Sequence, residues 1–209
     1  MSRRYGCIAF TDDVREVQQQ YGSAEFYDRL RSRATGASGP DPLGPREAAF
    51  LAERDGFYLS TVSETGWPYV QFRGGPPGFV SVRDAHTIAW AEFRGNLQHV
   101  STGNLVGDQR VAIIAVDYSR RERLKLFGTA RVVRIEDDPA YVSSLTVADD
   151  DSVVEAAITV TVTAFDWNCP QHIPRRLTLD EVDQRVAPLR ERLIELEAEN
   201  AALRQAMTT

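Results

Sequence analysis

The chain has little of what metal sites, disulfides and membrane spans require. Cysteine occurs twice, at Cys7 and Cys169, far apart and outside any metal-ligand spacing. A disulfide framework and a metal site are therefore not expected. The three histidines are His86, His99 and His172, and no serine or cysteine nucleophile motif stands near them. No carboxylate pair stands out as an acid/base unit. No apolar run approaches the ~20 residues of a membrane span. Basic residues are outnumbered, and the net charge of −6 disfavours nucleic acid and anionic membranes as partners. The first ten residues carry two arginines but no long apolar core, so no secretory signal is expected and the cytoplasm is the expected compartment.

What is present is a series of short strand-like runs. The 209 residues suffice for one ordinary domain with extensions. Strands are predicted at Phe57–Val62, Trp67–Phe72, Phe79–Arg83, Thr87–Ala91, Val111–Asp117, Leu124–Val133 and Val154–Phe165. Short turns between them suggest an antiparallel barrel or sandwich. The last strand has the clearest period of two, with Ile158, Val160, Val162 and Ala164 on one face and threonines on the other. Val111–Asp117 is nearly continuous apolar, which predicts burial on both faces. Gly128 predicts a bulge.

Helical patterns flank this core. Thr11 caps a predicted helix over 11–34, which Gly22 interrupts. Residues 35–44 are Gly/Pro-rich loop, and Pro45 opens a helix to about Asp55 that Gly56 ends. Short helices are predicted from Asn96 to Thr102 and from Asp138 to Leu145. From Thr178 the pattern becomes heptad: Val182, Val186, Leu189, Leu193, Leu196, Asn200, Leu203 and Met207. Pro188 should kink that helix or start a second one. The expected organisation is an N-terminal helical extension (1–44), a β domain (45–177) and a C-terminal helix (178–209) that could form a coiled coil.

Two stretches go beyond fold. Arg73-Gly-Gly-Pro-Pro-Gly is too rich in Gly and Pro for strand, and it reads either as a wide hairpin loop or as a bend that lets the backbone approach a planar ligand. No Gly-Lys-Ser/Thr follows, so it is not a phosphate loop. Arg94, Asn96 and Gln98 gather donors where a strand passes into a helix, which suits an anion or simply a solvated helix start. Together they would make a nucleotide-type site. Trp167 could stack on a flat ring, although a core-edge role is the commoner fate of such a residue.

The runs Gly66-Trp-Pro-Tyr-Val-Gln-Phe-Arg-Gly-Gly-Pro-Pro-Gly-Phe, Phe93-Arg-Gly-Asn, Leu124-Lys-Leu-Phe-Gly-Thr-Ala-Arg and Asp166-Trp-Asn-Cys-Pro-Gln-His resemble the pyridoxamine 5′-phosphate oxidase-related proteins. They are similar in particular to a bacterial branch that carries the last motif. The resemblance covers roughly residues 45–175. It implies a mainly β fold with peripheral helices: an FMN-binding split β-barrel, working as a homodimer with FMN at the subunit interface. By position, Gln71, Phe72, Arg73, Gly74 and Gly75 would lie along the isoalloxazine, and Trp90 and Ala91 would flank the ribityl chain. Arg94, Gly95, Asn96 and Gln98 would hold the phosphate. Arg123 or Lys125, and Trp167 with Gln171, would reach the flavin from the partner chain.

The departures concern substrate. The oxidase carries Leu-Leu-Lys on its second strand, where this chain has Arg73-Gly-Gly-Pro, and its C-terminal Arg-x-His pair has no counterpart here. The resemblance thus implies an FMN-dependent oxidoreductase of unknown small substrate rather than vitamin B6 chemistry. A non-enzymatic flavin carrier or redox-sensing module, with the heptad helix as its output, is the alternative.

Overall fold

The computed structural model describes residues 4–32, 39–147, 153–168 and 170–207. Cys169 and residues 35–38 of the predicted 35–44 loop lie outside them. The described residues divide into two compact units: 1–117 with 122–171, and 118–121 with 172–209.

The first unit opens with three helices, α1 (Tyr5–Ala9), α2 (Asp12–Gln20) and α3 (Ala24–Ser32). The Thr11 hydroxyl accepts from the Val14 amide at the start of α2, as its sequence position predicts. Gly22, at φ +72°, makes the break between α2 and α3. Tyr5 stacks on Phe127 at 5.1 Å, which ties α1 to the sheet. Next comes α4 (Pro45–Ala52), with Pro45 in its first turn.

Seven strands follow: β1 (Gly56–Val62), β2 (Pro68–Gly74), β3 (Ser81–Asp84), β4 (Thr87–Phe93), β5 (Arg110–Asp117), β6 (Glu122–Arg134) and β7 (Val154–Trp167). Between β4 and β5 lies α5 (Val100–Gly107), and between β6 and β7 lies α6 (Pro139–Ser143). One sheet runs in the order β2-β1-β5-β6-β7-β4-β3, with every neighbouring pair antiparallel. Long β6 and β7 form its spine. The sheet curls, because Phe57 of β1 packs edge-on against Trp90 of β4 at 4.9 Å although four strand steps separate them. This is a mainly β split barrel with helices at its periphery.

The core lies inside the curl. Ile158, Val160, Val162 and Ala164 of β7 are buried as the period of two requires, while Thr161 on the opposite face is exposed. Gly128 sits at a register shift between β6 and β7, where a Cβ would meet the Thr161 carbonyl oxygen at 2.5 Å. Only glycine fits that bulge without moving backbone.

Several boundaries differ from the sequence expectation. β2 extends through Gly74, since Arg73 and Gly74 pair with Phe57 and Gly56 of β1. The Gly/Pro bend therefore begins at Gly75. Gly56 opens β1 rather than merely ending α4, and it is glycine because the Phe72 ring covers it. β5 is buried on one face only: Val111, Ile113 and Ala115 are buried, whereas Ala112, Ile114 and Val116 are half-buried. The helix expected at Asn96–Thr102 starts only at Val100, because Leu97 (φ +60°) and His99 (φ +49°) adopt left-handed conformations that no α-helix can hold. β7 reaches Trp167, so the Asp166-Trp167 dipeptide is strand.

The second unit is dominated by α7 (Leu179–Ala206). Thr178 and Glu181 form the capping box that their spacing predicts. Pro188 lies inside this one helix and does not start a second. No residue of α7 is buried.

Candidate functional site

The curl leaves a cavity of about 340 Å³ between the end of β2, β4 and the segment leading into α5. β2 contributes Gln71, Phe72, Arg73 and Gly74, and β4 contributes Trp90, Ala91 and Glu92. Gly95, Asn96 and Gln98 close one side, with Ser101 from α5. The two stretches singled out in the sequence thus face one space, although 20 residues separate Gly74 from Arg94 in number.

Gly75 and Arg94 do not line this cavity. A Cβ at Gly75 would meet Phe79 at 2.8 Å, and one at Gly74 would meet the Phe72 ring at 2.8 Å. Both glycines are therefore required by packing within the chain, whatever the cavity holds. The Gly75 amide donates to Asp55 and the Gly78 amide to Ala52, which pins the bend to the end of α4. Arg94 is largely exposed, and its Nε donates to Glu155 at 2.7 Å. Glu155 itself lines the cavity. Asn96 uses its side-chain oxygen to accept from the Gln98 amide at 3.2 Å, which shapes the turn.

The sequence reading missed two residues here. Ser101, fully buried, donates to the Gln71 side-chain oxygen at 3.0 Å and fixes that amide at the cavity wall. Glu92 forms an ion pair with Arg73 at 2.6 Å, with both side chains mostly buried. β2 and β4 are not neighbours in the sheet, so this pair bridges the open end of the barrel. Burial pushes the Glu92 carboxyl above its ordinary value, against the pull of Arg73 and, more weakly, of the Trp90 indole and His99. Trp90 favours the charge without a hydrogen bond of good geometry, since its Nε1 has no partner. Sequence offered no signal for Glu92: one acid in Ala91-Glu92-Phe93 looks like any solvent-facing strand residue.

The four residues assigned to a partner chain lie outside this cavity. Lys125 stands over the Tyr5 ring at 5.0 Å and borders a second, apolar hollow of about 280 Å³ with Tyr58, Val70, Ile114 and Phe127. Arg123 is half-buried on β6, with Nε unpartnered. Gln171 is exposed. Trp167 is a core-edge residue: Phe50 meets its ring at 4.8 Å, Arg46 lies over it at 4.0 Å, and its Nε1 donates to Glu47 at 2.7 Å. No group of three or more His, Cys, Asp or Glu among the described residues could hold a metal, and no helix among them is long and apolar enough to cross a membrane.

Three solved structures illustrate what the chain is similar to. Group A Streptococcus HupZ is 17% identical, and the match covers 65% of this chain and 100% of that one with a TM-score of 0.44. An FMN-binding protein from Syntrophomonas wolfei subsp. wolfei is 10% identical over 72% of this chain and 97% of that one, with a TM-score of 0.46. An F420 reductase is 21% identical over 59% of this chain and 98% of that one, with a TM-score of 0.42. No curated protein matches. The family model for pyridoxamine 5′-phosphate oxidase matches residues 43–163, from the approach to α4 through most of β7, and so includes every residue that lines the cavity. With more than half of its length under that model, the chain belongs to the pyridoxamine 5′-phosphate oxidase family.

Proposed function

We propose that the protein is an FMN-dependent oxidoreductase acting on a small substrate, as a cytoplasmic homodimer with FMN at the subunit interface. The observation that carries this reading is the cavity. It joins the end of β2 to the Gly95–Gln98 turn, and three of its lining residues carry buried polar atoms with no hydrogen-bond partner among the described residues: Arg73 Nε, Trp90 Nε1 and Glu92 Oε2. Buried groups of this kind call for a hydrogen-bonding occupant. Its volume of about 340 Å³ is in the range of small-molecule sites.

The residues present fit the cofactor. Gln71, Phe72, Arg73 and Gly74 would hold its ring, and Trp90 and Ala91 would line the chain that follows. The amides of the Gly95–Gln98 turn, with Arg94, would hold its phosphate. Arg94 would do so in competition with Glu155, its present partner. Arg123 or Lys125 and Trp167 with Gln171 would complete the site from a second subunit. Bound there, FMN would supply the two-electron chemistry. The chain's own part is to orient the ring, exclude water from it with Phe79 and Trp90, and set the local charge through Arg73 and Glu92.

Purified protein should be yellow, and heat should release FMN identifiable by mass. A colourless protein that takes up no added FMN overturns the proposal. One observation favours a second reading, a flavin carrier or sensor: no residue of the 28-residue α7 is buried, as an output helix would require. Turnover with a panel of electron donors, NAD(P)H included, separates the two readings. A bound flavin that no donor reduces favours the module.

A further inference from the structure

The outer face of the sheet carries an apolar row. Strand register sets Phe72 of β2, Tyr58 of β1, Ile114 of β5 and Lys125 of β6 side by side. Val70 and Phe127, two residues along their strands, continue the same face. Tyr58, Val70 and Phe72 are 40%, 60% and 55% exposed. An antiparallel sheet that meets water on one face is normally polar there, so this face calls for a cover. The apolar hollow of about 280 Å³ lies in it. Tyr5 of α1 closes one side of that hollow, buried, stacked on Phe127 and lying under Lys125 Nζ. Beyond α1 the chain forms α2 and α3, nine residues each. Helices that short are marginal unless they pack on something. Arg15 pairs with Asp28 at 3.0 Å, and Phe10 meets Tyr27 at 5.0 Å, which ties the two helices together. Yet α2 buries none of its residues. Val14, Val17 and Tyr21, at helical spacing, are 37%, 51% and 84% exposed, and Phe26 of α3 is 55% exposed.

We infer that α1, α2 and α3 form an arm of the subunit interface: a second copy of the chain covers both the outer face around Tyr58 and Val70 and the exposed apolar side chains of α2 and α3. The position of Lys125 selects a second copy as the occupant. Arg123 and Lys125, one of which reaches the partner's flavin in the proposed dimer, are two residues apart on β6 and share this face. The face that carries them is therefore turned toward the partner. Tyr5 sits against Lys125 there, so the partner meets the arm at its root. In a two-fold dimer the same patch is covered on both copies. The arm precedes residues 43–163, which the family shares, and so adds to the barrel a contact of this chain's own. The inference rests on the homodimer part of the reading above and names the surface that makes it.

The test measures dimer dissociation by analytical ultracentrifugation of the full-length chain carrying Leu196→Asp and Leu203→Asp, which removes any contribution from α7. In that background Val17→Asp with Phe26→Asp, on the arm, should weaken the dimer about tenfold or more, and Val70→Asp, on the sheet face, should do the same. A monomeric background protein, or a loss confined to one of the two places, overturns the inference. Hydrogen exchange on the unsubstituted arm gives a second readout that no folding defect can mimic. Protection of the amides from Val14 to Leu30 should rise with the dimer fraction as the protein is concentrated. Protection that is independent of concentration across the dissociation range overturns the inference as well. Absorbance of the same samples reads the cofactor separately: a yellow monomer sinks the arm and spares the flavin, and a colourless dimer that takes up no FMN does the reverse.

Discussion

Strand β7 and helix α7 carry the two clearest hydrophobic patterns in the chain, and the fold treats them oppositely. β7 buries Ile158, Val160, Val162 and Ala164 to full depth, whereas α7 buries nothing. Both patterns are periodic and both leave polar residues on the other face. The difference is that the partner of β7 lies within the same chain, on β6 and β4. A hydrophobic period fixes the type of an element and the face that must be covered. It does not say which molecule covers it.

The largest effects should come from breaking the inner region. Arg54 Nη1 pairs with Asp117 at 2.8 Å, its Nε donates to Phe50, and both Arg54 and Asp117 are buried. Arg54→Ala removes the cation beside a buried carboxylate and should cost about 3–5 kcal/mol in urea unfolding. A loss below about 1 kcal/mol would show that the site relaxes or admits water. Leu126→Ala in the core of β6 should cost about 2–5 kcal/mol, whereas Leu196→Ala in α7 should leave the unfolding of the sheet unit unchanged. Equal losses would erase the contrast between the two regions.

Smaller effects are expected at the cavity. Arg94→Ala should weaken FMN more than riboflavin by about 1.5–3 kcal/mol, the value of a charged hydrogen bond. Equal losses for the two ligands would show that Arg94 does not meet the phosphate. Pyridoxamine 5′-phosphate should be a poor substrate, with kcat/KM below about 10⁴ M⁻¹s⁻¹, because the lysine and the Arg-x-His pair of the oxidase are absent.

The Glu92 carboxyl gives a pH signature. Its folded pKa is raised above the ordinary glutamate value of 4.5, so the folded state takes up a proton that the unfolded state has released. Stability contributed by this group is therefore complete below about 4.5 and is lost as pH rises through the folded value. Glu92→Gln should flatten that decline while Arg73 and His99 keep their charges. Identical pH profiles for parent and variant would place the decline elsewhere.

All seven strands were legible because each has a short apolar run closed by a turn residue. Boundaries failed where the deciding contact is distant in sequence. β2 runs on to Gly74 because β1 supplies a partner at Gly56, and no local propensity announces that. α5 starts late because two non-glycine residues take positive φ, which side-chain type does not reveal. At the site, both marked stretches reached one cavity, yet Gly74 and Gly75 of the first are glycine because Phe72 and Phe79 pack against them. Glu92 was invisible because its meaning depends on Arg73 across the barrel mouth. Burial of one face only on β5 was also unreadable, since a strand covered by another molecule has the same apolar composition as one covered by its own chain.

The smallest effect on the sheet unit, and the sharpest test of the comparison, lies in α7. Leu189, Leu193, Leu196, Leu203 and Met207 are all exposed on one heptad seam. With Asn200 at an a position, the seam has the pattern of a parallel two-stranded coiled coil, in which a buried polar residue fixes register. Arg192 at g would face Glu197 at e of a second copy, and Glu199 would face Arg204. One heptad earlier Arg185 would oppose Arg190, so complementarity fails near Pro188 and pairing should begin after it. In the single chain Arg192 instead bridges to Glu195 at 2.8 Å, an exposed contact that contributes little and is easily exchanged. In a background with Cys7 and Cys169 changed to serine, Asn200→Cys should cross-link two chains on mild oxidation. Adding Leu196→Asp and Leu203→Asp should abolish that cross-link while the urea midpoint of the sheet unit stays within about 0.5 kcal/mol of the parent. Removing the tail should not yield a monomer if the barrel itself dimerises. Cross-linking that proceeds equally well with and without the two aspartates rules out the paired seam, and the cover for α7 must then come from elsewhere.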